Sequence, residues 1–177
     1  MSGNYKVTRY EADIPMDELI RDYFDYEKTH KLCQACSGYA GTWGCPPFDF
    51  DPKDYLMQFS KFHMVVDKID NSNATSVDEA QEWLFKEKTR YDKDMLDMEA
   101  ANPGSQAMAA QECQYCKTCA RLSGHPCIHP DLMRYSLESI GSFPVNLVHD
   151  KLGFDILWSD GTSIPEYYLL VAGVLMN

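Results

Sequence analysis

Residues Tyr5 to Asp13 alternate loosely between apolar and polar positions and include Tyr, Val and Thr, a pattern that suits a strand. Pro15 then opens a helix with Asp17 and Glu18 in its first turn, where acidic side chains meet the positive end of the helix dipole. Leu19, Ile20, Tyr23 and Phe24 form its apolar face, and the pattern carries it to about Thr29. From Cys33 to Asp51 the periodicity disappears. Gly38, Gly41, Gly44, Pro46 and Pro47 punctuate this stretch, which holds three cysteines and reads as a loop. A short turn or helix is expected after Pro52, and Phe62 to Ile69 reads as a buried strand.

Ser76 and Glu79 have the spacing of a capping box, so a long helix is expected to start there and run to about Ala101. Val77, Ala80, Leu84, Tyr91, Met95 and Met98 share one stripe, which we read as core packing. Asn102-Pro103-Gly104 ends that helix. Gln106 to Gln111 leads, as a strand, into a second cysteine loop from Cys113 to Cys127. The segment after Pro130 is expected to be a helix stopping at Gly141, with another over Pro144 to Leu152. Phe154 to Trp158 and Tyr167 to Met176 read as strands separated by the turn sequence Ser159-Asp160-Gly161-Thr162. The expected class is α+β: one domain over residues 1–177, with a mixed or antiparallel sheet of four to five strands and helices between them. Two cysteine-rich loops, at about 30–50 and 111–130, would meet at one end of the sheet, where scaffolds commonly carry sites.

The 177 residues suffice for one domain with a hydrophobic core, and 45% apolar content is not that of a disordered chain. The opening MSGNYKVTRYEADIP has no basic stretch followed by an apolar run, so no export signal is expected. The stretch from Tyr167 to Met176 is too short to cross a bilayer. These features predict a cytoplasmic chain. A formal charge of −11 opposes a nucleic-acid backbone as the main partner. It suits solubility, or docking on a basic protein.

Seven cysteines without an export signal point to metal or redox chemistry, since intracellular thiols stay reduced. The first group is Cys33-x2-Cys36-x8-Cys45, and the second is Cys113-x2-Cys116-x2-Cys119-x7-Cys127. A C-x2-C turn brings two sulfurs towards one centre, and its N–H groups can stabilise thiolate charge. The C-x2-C-x2-C run is the more specific signal, because it resembles the first three ligands of a bacterial ferredoxin motif. Tetrahedral zinc more often takes two pairs. The fourth cysteine departs from the ferredoxin pattern, arriving after seven residues rather than three. The arithmetic is four plus three. Cys113, Cys116, Cys119 and Cys127 can close an all-thiolate site, whereas Cys33, Cys36 and Cys45 lack a fourth ligand. His30, His63 and Asp49 are candidates for it. Two alternatives are an iron position left open to a small molecule, and crossed ligation by Cys127. His125 and His129 flank Cys127, and Arg121 and Arg134 lie near enough in sequence to offset thiolate charge or to pair with Glu138.

Together these residues resemble a known family. Cys33, Cys36, Trp43, Cys45, Pro46 and Pro47, then Cys113, Cys116 and Cys119, then Cys127 and Pro130, then Arg134, Ser136, Glu138 and Gly141 match the pattern of the predicted metal-binding family called domain of unknown function 2284. The resemblance spans roughly residues 30 to 142 and continues weakly to the end. It implies metal binding through these cysteines and occurrence mainly in anaerobic bacteria and archaea, and it implies no particular reaction. Tyr135 stands where that pattern has proline, which bears on the start of the local helix. The leading expectation is an iron–sulfur protein with one or two [4Fe-4S] clusters, serving a redox enzyme partner. A structural or regulatory zinc protein is the alternative, and an enzyme with an open-site three-cysteine cluster is a third.

Overall fold

The protein is described over residues 5–177 by a computed structural model. Strand β1 (Val7–Pro15) leads into helix α1 (Met16–Asp22), which is followed by α2 (Tyr26–Gln34) and α3 (Pro52–Leu56). Strand β2 (Lys61–Asp70) precedes the long helix α4 (Val77–Ala101), and the short strand β3 (Gln106–Ala107) follows it. A 3-10 turn (Ala120–Ser123), helix α5 (Pro144–Leu152) and strand β4 (Tyr167–Met176) complete the chain. The fold is α+β, with one four-stranded sheet in the order β1-β2-β4-β3 and every pairing antiparallel. No helix among the described residues is long and apolar enough to cross a membrane.

The centre of the sheet is made by the two most apolar segments. Tyr167 to Leu175 are buried without alternation, so both faces of β4 are covered, and such a strand reads as a continuous apolar run. Phe62 pairs with Leu175 and Val66 with Val171 in the β2–β4 ladder. Gly173 is required there by close approach: a Cβ at this position would stand 2.0 Å from the His63 carbonyl oxygen. Helix α4 packs its stripe onto the sheet, burying Ala80, Tyr91 and Met95, with Leu84 and Met98 half-buried against the same core. The Tyr91 hydroxyl donates to the Val65 carbonyl at 2.6 Å and accepts from the Ala172 N–H at 2.7 Å. Val65 and Ala172 are register partners, so one helix side chain locks β2 to β4.

The Ser76 hydroxyl caps α4 by accepting from the Glu79 N–H at 3.1 Å. The Glu79 carboxylate reaches one residue further back than the capping box predicts and accepts from the Thr75 N–H and hydroxyl.

Three local expectations are corrected. The single helix expected from Pro15 to Thr29 is broken at Tyr23-Phe24-Asp25. There the backbone bonds to a distant segment instead, with Asp25 N–H donating to the Gly141 carbonyl and Phe143 N–H to the Tyr23 carbonyl, both at 2.9 Å. Asp25 then caps α2, accepting from the Lys28 N–H. Gly141 permits this junction, because it sits at φ +104° and a Cβ there would meet the Phe24 ring at 2.7 Å. Second, the segment after Pro130 is not a helix. One turn forms after His129, whose carbonyl accepts from the Met133 N–H, and another over Ser136 to Gly141; between them the chain makes an isolated parallel bridge to Ala109, whose N–H donates to the Tyr135 carbonyl. Tyr135 belongs there to an aromatic cluster with Phe48, Phe50 and Tyr55. Third, Phe154 to Trp158 is irregular rather than a strand, which leaves Trp158 72% exposed and the sheet with four strands.

Candidate metal centre

The break at Phe24 re-aims the chain so that α2 ends beside the second cysteine loop. Cys33 therefore lies on the last helical turn, not in a loop as the sequence suggested. The Cys36 N–H bonds the Cys33 carbonyl and the Cys45 N–H bonds the Thr42 carbonyl, so each cysteine follows a tight turn. Two donors point at sulfur: the Gly38 N–H to Cys36 Sγ and the Thr42 hydroxyl to Cys45 Sγ, each at 3.4 Å. Such donors favour thiolate charge.

The second loop is clasped at both ends by one carboxylate. Glu99, near the end of α4, accepts from the Ala107 N–H at 2.6 Å before the loop. After the loop, it accepts from Arg134 Nη2 at 2.6 Å and Nε at 2.8 Å. The second cysteine loop thus begins and ends on α4.

The two loops also hold each other. Arg121 of the second loop donates to the carbonyls of Thr42, Cys45 and Pro47 in the first. Trp43 of the first loop donates from its indole to the His125 carbonyl at 3.0 Å. Gly44 lies so close to the second loop that a Cβ there would stand 3.5 Å from Cys113 Cβ.

Despite this closeness the thiols fall into two groups. Cys113, Cys116, Cys119 and Cys127 line one cavity of about 390 Å³, together with His129, Trp43 and Leu122. Cys33, Cys36 and Cys45 line another of about 250 Å³, together with Glu112, Ser136, Glu138 and Trp158. Electrostatics repeats the division. Burial pushes the Cys113 thiol up, an effect opposed by the Tyr115 N–H and reinforced by Cys127, Cys116 and Cys119. Burial also pushes Cys33 up, reinforced by Cys45, Glu138 and Cys36. Among the described residues, no three His, Cys, Asp or Glu side chains converge tightly enough to grip a single ion.

This chain belongs to the family described as predicted metal-binding protein (DUF2284). The family model matches residues 20–176, nearly the whole chain. No curated protein and no solved structure matches the chain. The description of this DUF2284 family covers metal binding and names no metal.

Several expected partners lie elsewhere. His30 is absent from the lining of both cavities. Its Nε2 bonds the Tyr39 hydroxyl at 2.9 Å and its ring stacks on Tyr26. His63 lies on β2 against Asp13, with 2.7 Å between Nδ1 and Oδ1, and Asp49 lines neither cavity. Cys127 lines the cavity of the second group and not that of the first. His129 lines the four-cysteine cavity, whereas the His125 ring turns to Ser123. Neither arginine pairs with Glu138, since Arg121 binds carbonyls and Arg134 binds Glu99.

Sequence reasoning names Glu138 as an ion-pair partner and a family position, but not as a ligand. Its Oε2 is buried and has no hydrogen-bond partner, although the side chain as a whole is only half-buried. Burial pushes its carboxyl above the usual carboxylate range, against hydrogen bonds from its own backbone and Ser136. A glutamate three residues before Gly141, in a segment whose pattern predicts a helix, carries no local signal of burial.

Proposed function

We propose that this chain is an iron–sulfur protein of the cytoplasm, passing single electrons to an enzyme partner. Cys113, Cys116, Cys119 and Cys127 would hold one [4Fe-4S] cluster, and Cys33, Cys36 and Cys45 a second. The carrying observation is that the thiols line two cavities in a four-plus-three division. A structural zinc ion needs four donors about 2.0–2.3 Å from a single centre. A cuboidal cluster takes one thiolate per iron from around a wider body, which suits thiols spread over a cavity wall.

When bound, such clusters supply one-electron chemistry at potentials tuned by charge, hydrogen bonds to sulfur and exposure. The chain's own residues set those levers. Gly38 and Thr42 donate to sulfurs of the first group, and the Tyr115 N–H does so at Cys113. Arg121 places positive charge between the loops while binding only neutral carbonyls. Leu122 lines the four-cysteine cavity and Ile128 follows Cys127, and their exposures of 66% and 64% leave an apolar rim for a partner to cover. The net charge of −11 favours a basic partner.

The test is metal and acid-labile sulfide content on anaerobically purified protein, with a visible spectrum. The expected result is about seven to eight iron per chain, matching sulfide and broad brown absorption. One or two zinc per chain without sulfide or colour would overturn the reading in favour of a zinc-stabilised binding protein.

A further inference from the structure

We infer that Glu138 supplies the fourth protein ligand at the Cys33–Cys36–Cys45 site. This rests on the iron–sulfur reading and fills the position that three thiolates leave vacant.

Three observations meet on this side chain. Glu138 lines the cavity that holds the three thiols. Its Oε2 is buried without a hydrogen-bond partner, and a buried carboxylate oxygen left unpaired is costly unless a cation takes it. Among the described residues Glu138 enters no ion pair: Arg134 is committed to Glu99, and Arg121 to carbonyls of the first loop.

The carboxylate is also held in place. Glu138 sits in the turn where the Ser139 N–H bonds Ser136 Oγ and the Gly141 N–H bonds the Glu138 carbonyl. Its neighbours Leu137, Ser139 and Ile140 are buried, so the turn has little freedom to swing outward. The other carboxylate on this cavity, Glu112, is exposed and solvated. Iron accepts carboxylate donors, but an oxygen ligand is harder than thiolate. The iron bound to Glu138 is therefore the one whose protein ligand exchanges most readily. Glu138, Gln111 and Trp158 also line an adjacent cavity of about 230 Å³, so a small molecule there would reach this side of the site.

The experiment compares iron and sulfide content, and the electron paramagnetic resonance of reduced protein, for the wild type, E138Q, E138A, E138C and E112Q after anaerobic reconstitution. The wild type should carry two clusters. In E138Q and E138A iron should fall roughly twofold, with the signal of the four-cysteine cluster retained, which also reports an intact fold. E138C restores a donor and should recover the second cluster even if removing the carboxyl loosens the turn. E112Q should match the wild type. A wild type with two clusters and an E138Q equal to it in iron content and in resistance to chelator would overturn this inference alone. A wild type with one cluster would overturn it together with the second-cluster reading, and a wild type with zinc and no sulfide would overturn the iron–sulfur reading beneath both.

Discussion

The Arg121 guanidinium stands 5.1 Å from the centre of the Trp43 ring, and each residue reaches across to the other's loop. Arg121 binds three carbonyls of the first cysteine loop, while Trp43 donates to the His125 carbonyl of the second. Two segments about eighty residues apart are thereby fixed as one wall. A lysine could not replace Arg121, because its ammonium lacks the planar fork that serves several acceptors at once. R121A should speed iron loss from both cavities and lower stability by roughly 1.5–3 kcal/mol. R121K should recover little of this. The check is the rate of colour loss on addition of a chelator, alongside urea unfolding.

The four-plus-three division carries its own prediction. Cys127 lines the same cavity as Cys113, Cys116 and Cys119. C127S should therefore remove the cluster of that cavity and leave the iron held by Cys33, Cys36 and Cys45. The reverse pattern is expected for C33S. Iron analysis of the two variants decides it, and loss of all iron from C127S would show the two groups to be one centre.

Glu99 ties the start and the end of the second cysteine loop to α4. Removing it leaves the Ala107 N–H and Arg134 without their acceptor in a half-buried setting. E99A should cost roughly 1.5–3 kcal/mol and should destabilise the four-cysteine site before the three-cysteine site. Hydrogen exchange of the 106–134 segment, compared with the sheet, would detect this local opening.

Asp67 makes stability depend on pH. Burial alone would raise its carboxyl, but hydrogen bonds and charge from Arg9 and Arg90 outweigh that and hold it below the usual range. Arg9 meets it through two bonds of 2.6 and 2.8 Å and Arg90 through one of 2.5 Å, which ties β1, β2 and α4 together. A carboxyl depressed in the folded state contributes fully above its unfolded value of about 3.9 and loses that contribution as pH falls through the folded value. Acidification below about pH 4 should therefore destabilise the wild type. D67N should cost roughly 1.5–3 kcal/mol at neutral pH and should flatten this acid limb. Urea unfolding at neutral pH and at about pH 3 measures both, and an acid limb unchanged in D67N would assign it to other carboxylates.

What one stretch of sequence can determine is whatever neighbouring residues decide between themselves. The apolar runs of β2 and β4, the Ser76 cap, the stripe of α4, the helix from Pro144 and the spacing of the cysteines are of this kind, since period and capping act over a few residues. The sequence determined the donor chemistry too: seven thiols, with the tight turns that bring C-x2-C pairs together. Tertiary structure decided the rest. Phe24 leaves a helical pattern because its backbone finds Ser142, and the segment after Pro130 leaves one because it finds Ala109. Cys127 lines the cavity of the second group rather than the first, His30 turns to Tyr39, and Glu138 lines the cavity of the three thiols. Each of these pairings joins groups whose meeting depends on how the sheet and α4 pack. A carboxylate among periodic apolar residues reads as solvent-facing until the fold closes a cavity over it, and no local spacing encodes that closure.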